Sequence, residues 1–124
     1  MKMKSENIIF DTVAIIGIGL IGSSIARGIQ KNKIVRNVFG YAKTASTRAK
    51  ARELGYMDKI FDTLVETVND ADLIILCAPV GSNAEIMRNI QGHLKKGTII
   101  TDVGSVKKAV IDQIDKYLPD GVSF

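Results

Sequence analysis

The segment TVAIIGIGLIG, residues 12–22, sets a short β-branched apolar run directly against Gly17, Gly19 and Gly22. The run reads as a buried strand from Thr12 to Ile16, and Leu20 to Asn32 reads as the helix that follows. In a strand, turn and helix joined this way each glycine has a separate duty. The first permits the tight turn, the second lets backbone approach a pyrophosphate, and the third allows close helix–strand packing. Free N–H groups at the helix start and the helix dipole favour phosphate charge there. Ile18, Gly19, Leu20, Ile21 and Gly22, on to Ser23, would supply that cradle. The plainer alternative is a glycine-rich turn that binds nothing; the flanking strand and helix favour a dinucleotide site.

The rest of the chain repeats the alternation. Asn37 to Tyr41 is a second apolar stretch, followed by Thr44, Ser46 and Thr47 as N-cap candidates for a helix ending before Gly55. Lys59 to Phe61 reads as a weak third strand and Leu64 to Val68 as a short helix. Leu73 to Cys77, between Asp72 and Pro79, has the near-continuous apolar character of a strand covered on both faces. Ser82 with Glu85 three residues on reads as a capping box, opening a helix that stops at Gly97. Ile99 to Asp102 is a fifth strand, and Val106 to Leu118 a helix with Ser105 in the N-cap position and Pro119 beyond its end. Such alternation predicts an α/β fold: a Rossmann-type, doubly wound parallel sheet in a three-layer αβα arrangement. With 124 residues, 46% hydrophobic and 2 prolines, the chain suits one globular domain over residues 1–124 and not two. Val122 to Phe124 looks like the opening of a sixth strand, so the chain is expected to be a fragment of a longer polypeptide.

Charge and cysteine usage narrow the function classes. The formal net charge is +4, but it is local: no acidic residue occurs between Asp11 and Glu53. Without tryptophan, and with 6% aromatics, there is no basic motif interleaved with aromatics to suggest a nucleic-acid reader. Lys2 and Lys4 ahead of the apolar stretch from Val13 to Gly22 imitate a signal peptide, yet Asp11 and the spaced glycines speak against one. No apolar run approaches the roughly 20 residues of a membrane helix. The single cysteine, Cys77, excludes an internal disulfide and a cysteine-based zinc cage, and fits the cytoplasm. No metal site is expected.

Further candidate residues fall at predicted strand ends. The glycine pattern calls for an acid about 20 residues on, at the end of the second strand, to hold the adenosine ribose. Ala42 stands there, with Lys43, Thr44, Ser46 and Arg48 close by, a set suited to a 2′-phosphate. The reading leans towards NADP over NAD; the alternative is that Lys43 and Arg48 are solvated surface cations and NAD binds without a carboxylate. Ala78, Pro79 and Val80 follow the fourth strand and are expected to line the cofactor cleft. Cys77 has no cation or histidine nearby in sequence to activate it and reads as a packing residue. Gly104 and Ser105 follow the fifth strand, where Ser105 can serve as helix cap, as a substrate-binding hydroxyl, or as both. His93 reads as a complement to a helix C-terminus and not as a base.

The stretches VAIIGIGLIGSSIARGI, ADLIILCAPV and TDVGSVK, in that order and spacing, resemble the prephenate and arogenate dehydrogenases of tyrosine biosynthesis. The resemblance covers nearly the whole chain, and the DVGSVK segment is its most specific part. It implies oxidation of the ring alcohol of prephenate or arogenate by hydride transfer to NAD or NADP, with decarboxylation and aromatisation. Gly17, Gly19 and Gly22 would be the pyrophosphate turn, Ala78 to Val80 part of the nicotinamide cleft, and Ser105 the hydroxyl that positions substrate and a catalytic histidine. That histidine, in a Gly-His-Pro segment after the sixth strand, and the helical domain through which such enzymes form homodimers are expected beyond Phe124. The fragment alone is therefore expected to bind cofactor without turnover. Another two-domain dehydrogenase of the β-hydroxyacid type, or a stand-alone dinucleotide-sensing module, are the competing readings.

Overall fold

A run of five consecutive buried residues, Thr12 to Ile16, makes the first strand a central one. A computed structural model of the chain describes residues 10–103 and Gly121. In it, β1 (Phe10–Ile16) is followed by α1 (Leu20–Asn32), β2 (Val35–Tyr41), α2 (Ala45–Leu54), β3 (Lys59–Ile60), α3 (Leu64–Val68), β4 (Leu73–Leu76), α4 (Asn83–Ile90) and β5 (Ile99–Asp102). The strands form one parallel sheet in the order β3-β2-β1-β4-β5. The chain thus winds outward from β1 to β3, crosses back over the sheet, and continues from β4 on the other side of β1. This is the predicted doubly wound fold. The expected helix over residues 106–118 and sixth strand over residues 122–124 lie outside the described residues.

Alternation along β1 separates two helical layers. Val13 and Ile15 join Val38, Ile75 and Ala26 of α1 in one core cluster, against which Ile25 and Ile29 pack. Ala14 and Ile16 face the opposite way, onto Val68 of α3 and Ile86, Met87 and Ile90 of α4. Because successive side chains of a strand point to opposite faces, one apolar run serves both layers. Burying each of these large side chains contributes about 1.5–3 kcal/mol.

Two helix ends differ from expectation. Ser82 does not cap α4: it sits in a 3-10 turn (Val80–Ser82) with helical backbone angles, and its side chain makes no cap bond. α4 ends at Ile90 and not at Gly97. A second 3-10 turn (Gln91–His93) follows, after which Leu94 turns extended and packs on the core as the chain heads for β5. His93 is exposed in that turn. The capping box occurs instead at α3, where the Thr63 hydroxyl accepts from the Glu66 N–H at 3.2 Å and donates to the Glu66 carboxylate at 2.9 Å. α2 begins after Thr44, whose hydroxyl bonds Thr47, and ends on Gly55 in the left-handed region.

Acidic residues outside the cationic stretch partly neutralise it. Asp11 pairs with Arg36, and Asp62 with both Arg48 and Arg52. At the amino ends of β1 and β4, Asp72 accepts the Thr12 N–H at 2.9 Å and pairs with Lys95 at 2.7 Å. Burial pushes its carboxyl up, but the Lys95 and Thr12 contacts outweigh this and hold it below the usual carboxylate range. A carboxyl depressed in the folded state stabilises above its unfolded value of about 3.9 and loses that contribution as pH falls through the folded value. Asp72→Asn is expected to lower the urea midpoint at pH 7, and the gap between the two proteins should close below about pH 4. A gap independent of pH between 7 and 3 would contradict this. Among the described residues no helix is long and apolar enough to cross a membrane.

Candidate functional site

The register of the sheet builds the site. Ile16 is paired with Tyr41 on one side and Leu76 on the other, so β1, β2 and β4 end level with one another. Gly17 N–H donates to the Tyr41 carbonyl at 2.8 Å and Cys77 N–H to the Ile16 carbonyl at 2.7 Å, holding the three outgoing loops side by side. They meet where the strand order reverses, between β1 and β4, which is where open α/β sheets form their ligand crevices. A cavity of about 580 Å³ opens there.

The three glycines differ in what surrounds them. Gly17 has φ of +98°, and a Cβ on it would lie 2.6 Å from the Ala78 nitrogen. A Cβ on Gly22 would lie 2.4 Å from the Gly17 carbonyl oxygen, so helix and turn touch through bare backbone. Among the described residues a Cβ on Gly19 would meet no atom within 4 Å. Gly19 is the N-cap of α1, with no side-chain cap bond and no acidic residue in the first helical turn. The first N–H groups of α1 thus lack a side-chain cap, and the space beside Gly19 is open among the described residues, an arrangement that can accept a phosphate group. These features fit a dinucleotide's pyrophosphate.

Of the sequence candidates, Gly17, Ile18, Gly19, Ala42, Lys43, Thr44, Ala78 and Pro79 line the cavity together. Gly22 is buried behind the turn, and the backbone of Leu20 and Ile21 forms the first residues of α1. Val80 opens the 3-10 turn after Pro79. Gly104 and Ser105 lie outside the described residues. Arg48 is not brought into the cavity lining. Its guanidinium donates to the Ala42 and Lys43 carbonyls at 2.6 and 3.1 Å, bonds Asp62 at 3.2 Å and lies over the Tyr41 ring. It fastens the loop after β2, and with 14% of its side chain exposed it has little surface for a ligand. Asp62, 14 residues away, is the partner that sequence spacing does not reveal. The cavity also takes in Tyr41, Leu64, Ile86 and Asn89, together with Thr47 and Glu85, which in sequence look like helix-capping residues and not ligand contacts.

Cys77 lines the same cavity, and burial pushes its thiol up to about 11. At pH 8 only about one molecule in a thousand carries the thiolate. Reaction with Ellman's reagent at pH 8 is expected to run at least about 100-fold slower than for free cysteine, and saturating NAD⁺ should slow it further. Fast modification indifferent to NAD⁺ would contradict the placement.

A glycine turn at the switch point of a five-stranded parallel sheet, open to an uncapped helix start, defines a nucleotide-binding domain of the doubly wound α/β class. Within that class the family is specific. The profile described as prephenate dehydrogenase, nucleotide-binding domain, matches residues 25–124, and the chain belongs to that family. It is 39% identical over 114 residues to a cyclohexadienyl dehydrogenase of Zymomonas mobilis, covering 92% of this chain and 39% of that protein. To a prephenate dehydrogenase of Bacillus subtilis it is 32% identical, covering 92% and 31%. The structure of prephenate dehydrogenase from A. aeolicus in complex with hydroxyphenyl propionate and NAD⁺ superposes with a TM-score of 0.80 at 24% identity, covering 90% of this chain and 40% of that one. The chain thus spans about a third to two-fifths of the length of these relatives.

Proposed function

We propose that residues 1–124 form the NAD(P)-binding unit of a cytoplasmic dehydrogenase that oxidatively decarboxylates prephenate or arogenate and works as a homodimer. The observation that carries this reading is the open space in front of Gly19 and the uncapped start of α1, at the switch point of the sheet. Family membership and the dehydrogenase relatives support the substrate class, and an unpaired Cys77 suits a reducing compartment.

The bound dinucleotide supplies the hydride acceptor. The chain's own residues bind and orient it. The α1 N–H groups hold the pyrophosphate, and the loop after β4, Ala78 and Pro79, bounds the cleft on the nicotinamide side. Ser105 is assigned the hydroxyl that positions substrate. At the end of β2, Ala42 offers no carboxylate to the adenosine ribose, while Lys43, Thr44 and Thr47 line the cavity beside it. A cation with two hydroxyls is the chemistry of a 2′-phosphate contact, so the reading favours NADP. With Arg48 occupied by backbone carbonyls and Asp62, the preference rests on Lys43.

Calorimetric titration with NADP⁺ and NAD⁺ at low and moderate salt tests both levels. NADP⁺ is expected to bind several-fold tighter, with the advantage shrinking as salt rises. Lys43→Ala is expected to weaken NADP⁺ about 5- to 10-fold, roughly 1–1.4 kcal/mol, and to leave NAD⁺ within about twofold. Tighter NAD⁺ would overturn the NADP preference alone; binding of neither would overturn the reading.

A further inference from the structure

Beyond the end of β2 the cavity wall is apolar, made by Tyr41, Leu64 and Ile86, all packed on the core between α3 and α4. Two polar side chains share that wall, Glu85 and Asn89, one turn apart on α4. The Asn89 amide nitrogen donates to the Glu85 backbone carbonyl at 3.0 Å, which fixes the amide and leaves its oxygen as an acceptor. Glu85 sits where a capping box would use it, but Ser82 makes no cap bond. Among the described residues nothing engages the Glu85 carboxylate by hydrogen bond or ion pair.

In a doubly wound sheet the adenosine half of a dinucleotide belongs to the β1–β2–β3 half of the fold. Leu64 opens the helix after β3, next along from Lys43 and Thr44. An apolar wall flanked by two oxygen acceptors suits an aminopurine, whose exocyclic nitrogen carries two protons to donate. We propose that Glu85 and Asn89 read the base of the dinucleotide by accepting the protons of its 6-amino group; this rests on the dinucleotide reading above. A purine with oxygen at C6 sets acceptor against acceptor there, which selects by repulsion as well as by the lost bond.

The test is calorimetric binding of NAD⁺ and of nicotinamide hypoxanthine dinucleotide, which differ in the 6-amino against 6-oxo group and in the proton hypoxanthine carries on N1, to the full chain and to Glu85→Gln and Asn89→Leu. Both side chains are exposed, and unchanged melting temperatures will confirm that the variants fold. NAD⁺ is expected to bind at least about tenfold tighter than the hypoxanthine analogue. Glu85→Gln, whose amide can donate to a C6 carbonyl, is expected to reduce that ratio to about threefold or less, and Asn89→Leu to reduce it as well. Equal, measurable affinity for the two dinucleotides, or a ratio unchanged in both variants, would overturn the inference and leave the dinucleotide reading standing. Failure of both dinucleotides to bind would overturn the two together.

Discussion

Gly17→Ala is expected to destabilise the domain by about 2–6 kcal/mol and to abolish dinucleotide binding. Two separate costs combine at this position. At φ of +98° a side chain strains the backbone, worth about 1–3 kcal/mol. The new methyl group would also lie 2.6 Å from the Ala78 nitrogen and 2.9 Å from the Cys77 carbonyl carbon, backbone atoms that cannot rotate away. Relief requires the ends of β1 and β4 to separate, and overpacking of that kind costs about another 1–3 kcal/mol. Against a total stability of about 5–15 kcal/mol the loss is severe. Urea unfolding measures it directly, and a change under about 1 kcal/mol would refute the tight-turn assignment.

Gly19→Ala is expected to do the opposite: leave stability within about 0.5 kcal/mol and weaken NAD(P)⁺ binding by about 100-fold, or 2.7 kcal/mol. Gly19 has φ of −109°, an extended conformation open to alanine, and among the described residues its Cβ would touch no atom within 4 Å. Among the described residues the methyl group obstructs nothing, so its expected effect falls on a ligand that approaches the start of α1. Unaltered calorimetric affinity in a stable variant would show that the pyrophosphate does not lie there. The two alanine variants together separate a glycine needed by the chain from one needed by the ligand.

Local patterns were read well where burial was one-sided in sequence terms. Leu20–Asn32 and Ile99–Asp102 form as the periodicity and the β-branched run predict, and Gly55 ends α2 as a left-handed residue. The capping boxes show where such reading stops. Thr63 with Glu66 and Ser82 with Glu85 have the same spacing, yet only the first pair caps a helix. Thr63 enters its helix from an extended conformation, at φ −131° and ψ 152°, so its hydroxyl reaches the Glu66 N–H. Ser82 is already in a helical turn after Pro79, at φ −88° and ψ −12°, and its side chain makes no cap bond. The backbone leading into the motif decides, and the motif does not record it.

Arg48 carries the same lesson for the site. Its position beside Ala42 and Lys43 makes it an attractive phosphate ligand in sequence. Asp62 and the two carbonyls at the end of β2 claim its guanidinium first, because a planar cation gains more from three fixed acceptors than from exposed surface. Glu85 and Asn89 are the reverse case, one a capping residue and the other an ordinary helix residue in sequence, both of which α4 delivers to the cavity wall.

The alternating α/β order, the parallel sheet buried on both faces and the glycine turn are legible in the amino-acid order alone, because each is a matter of spacing within about 20 residues. Which side chains share the cavity depends on the folded arrangement of the strands. Ile16, Tyr41 and Leu76 come level through strand register, and the reversal of strand order between β1 and β4 opens the crevice beside them. Those contacts join residues up to 60 positions apart, as Asp72 and Thr12 also are. Their geometry depends on how helices pack on the sheet, which no local pattern encodes.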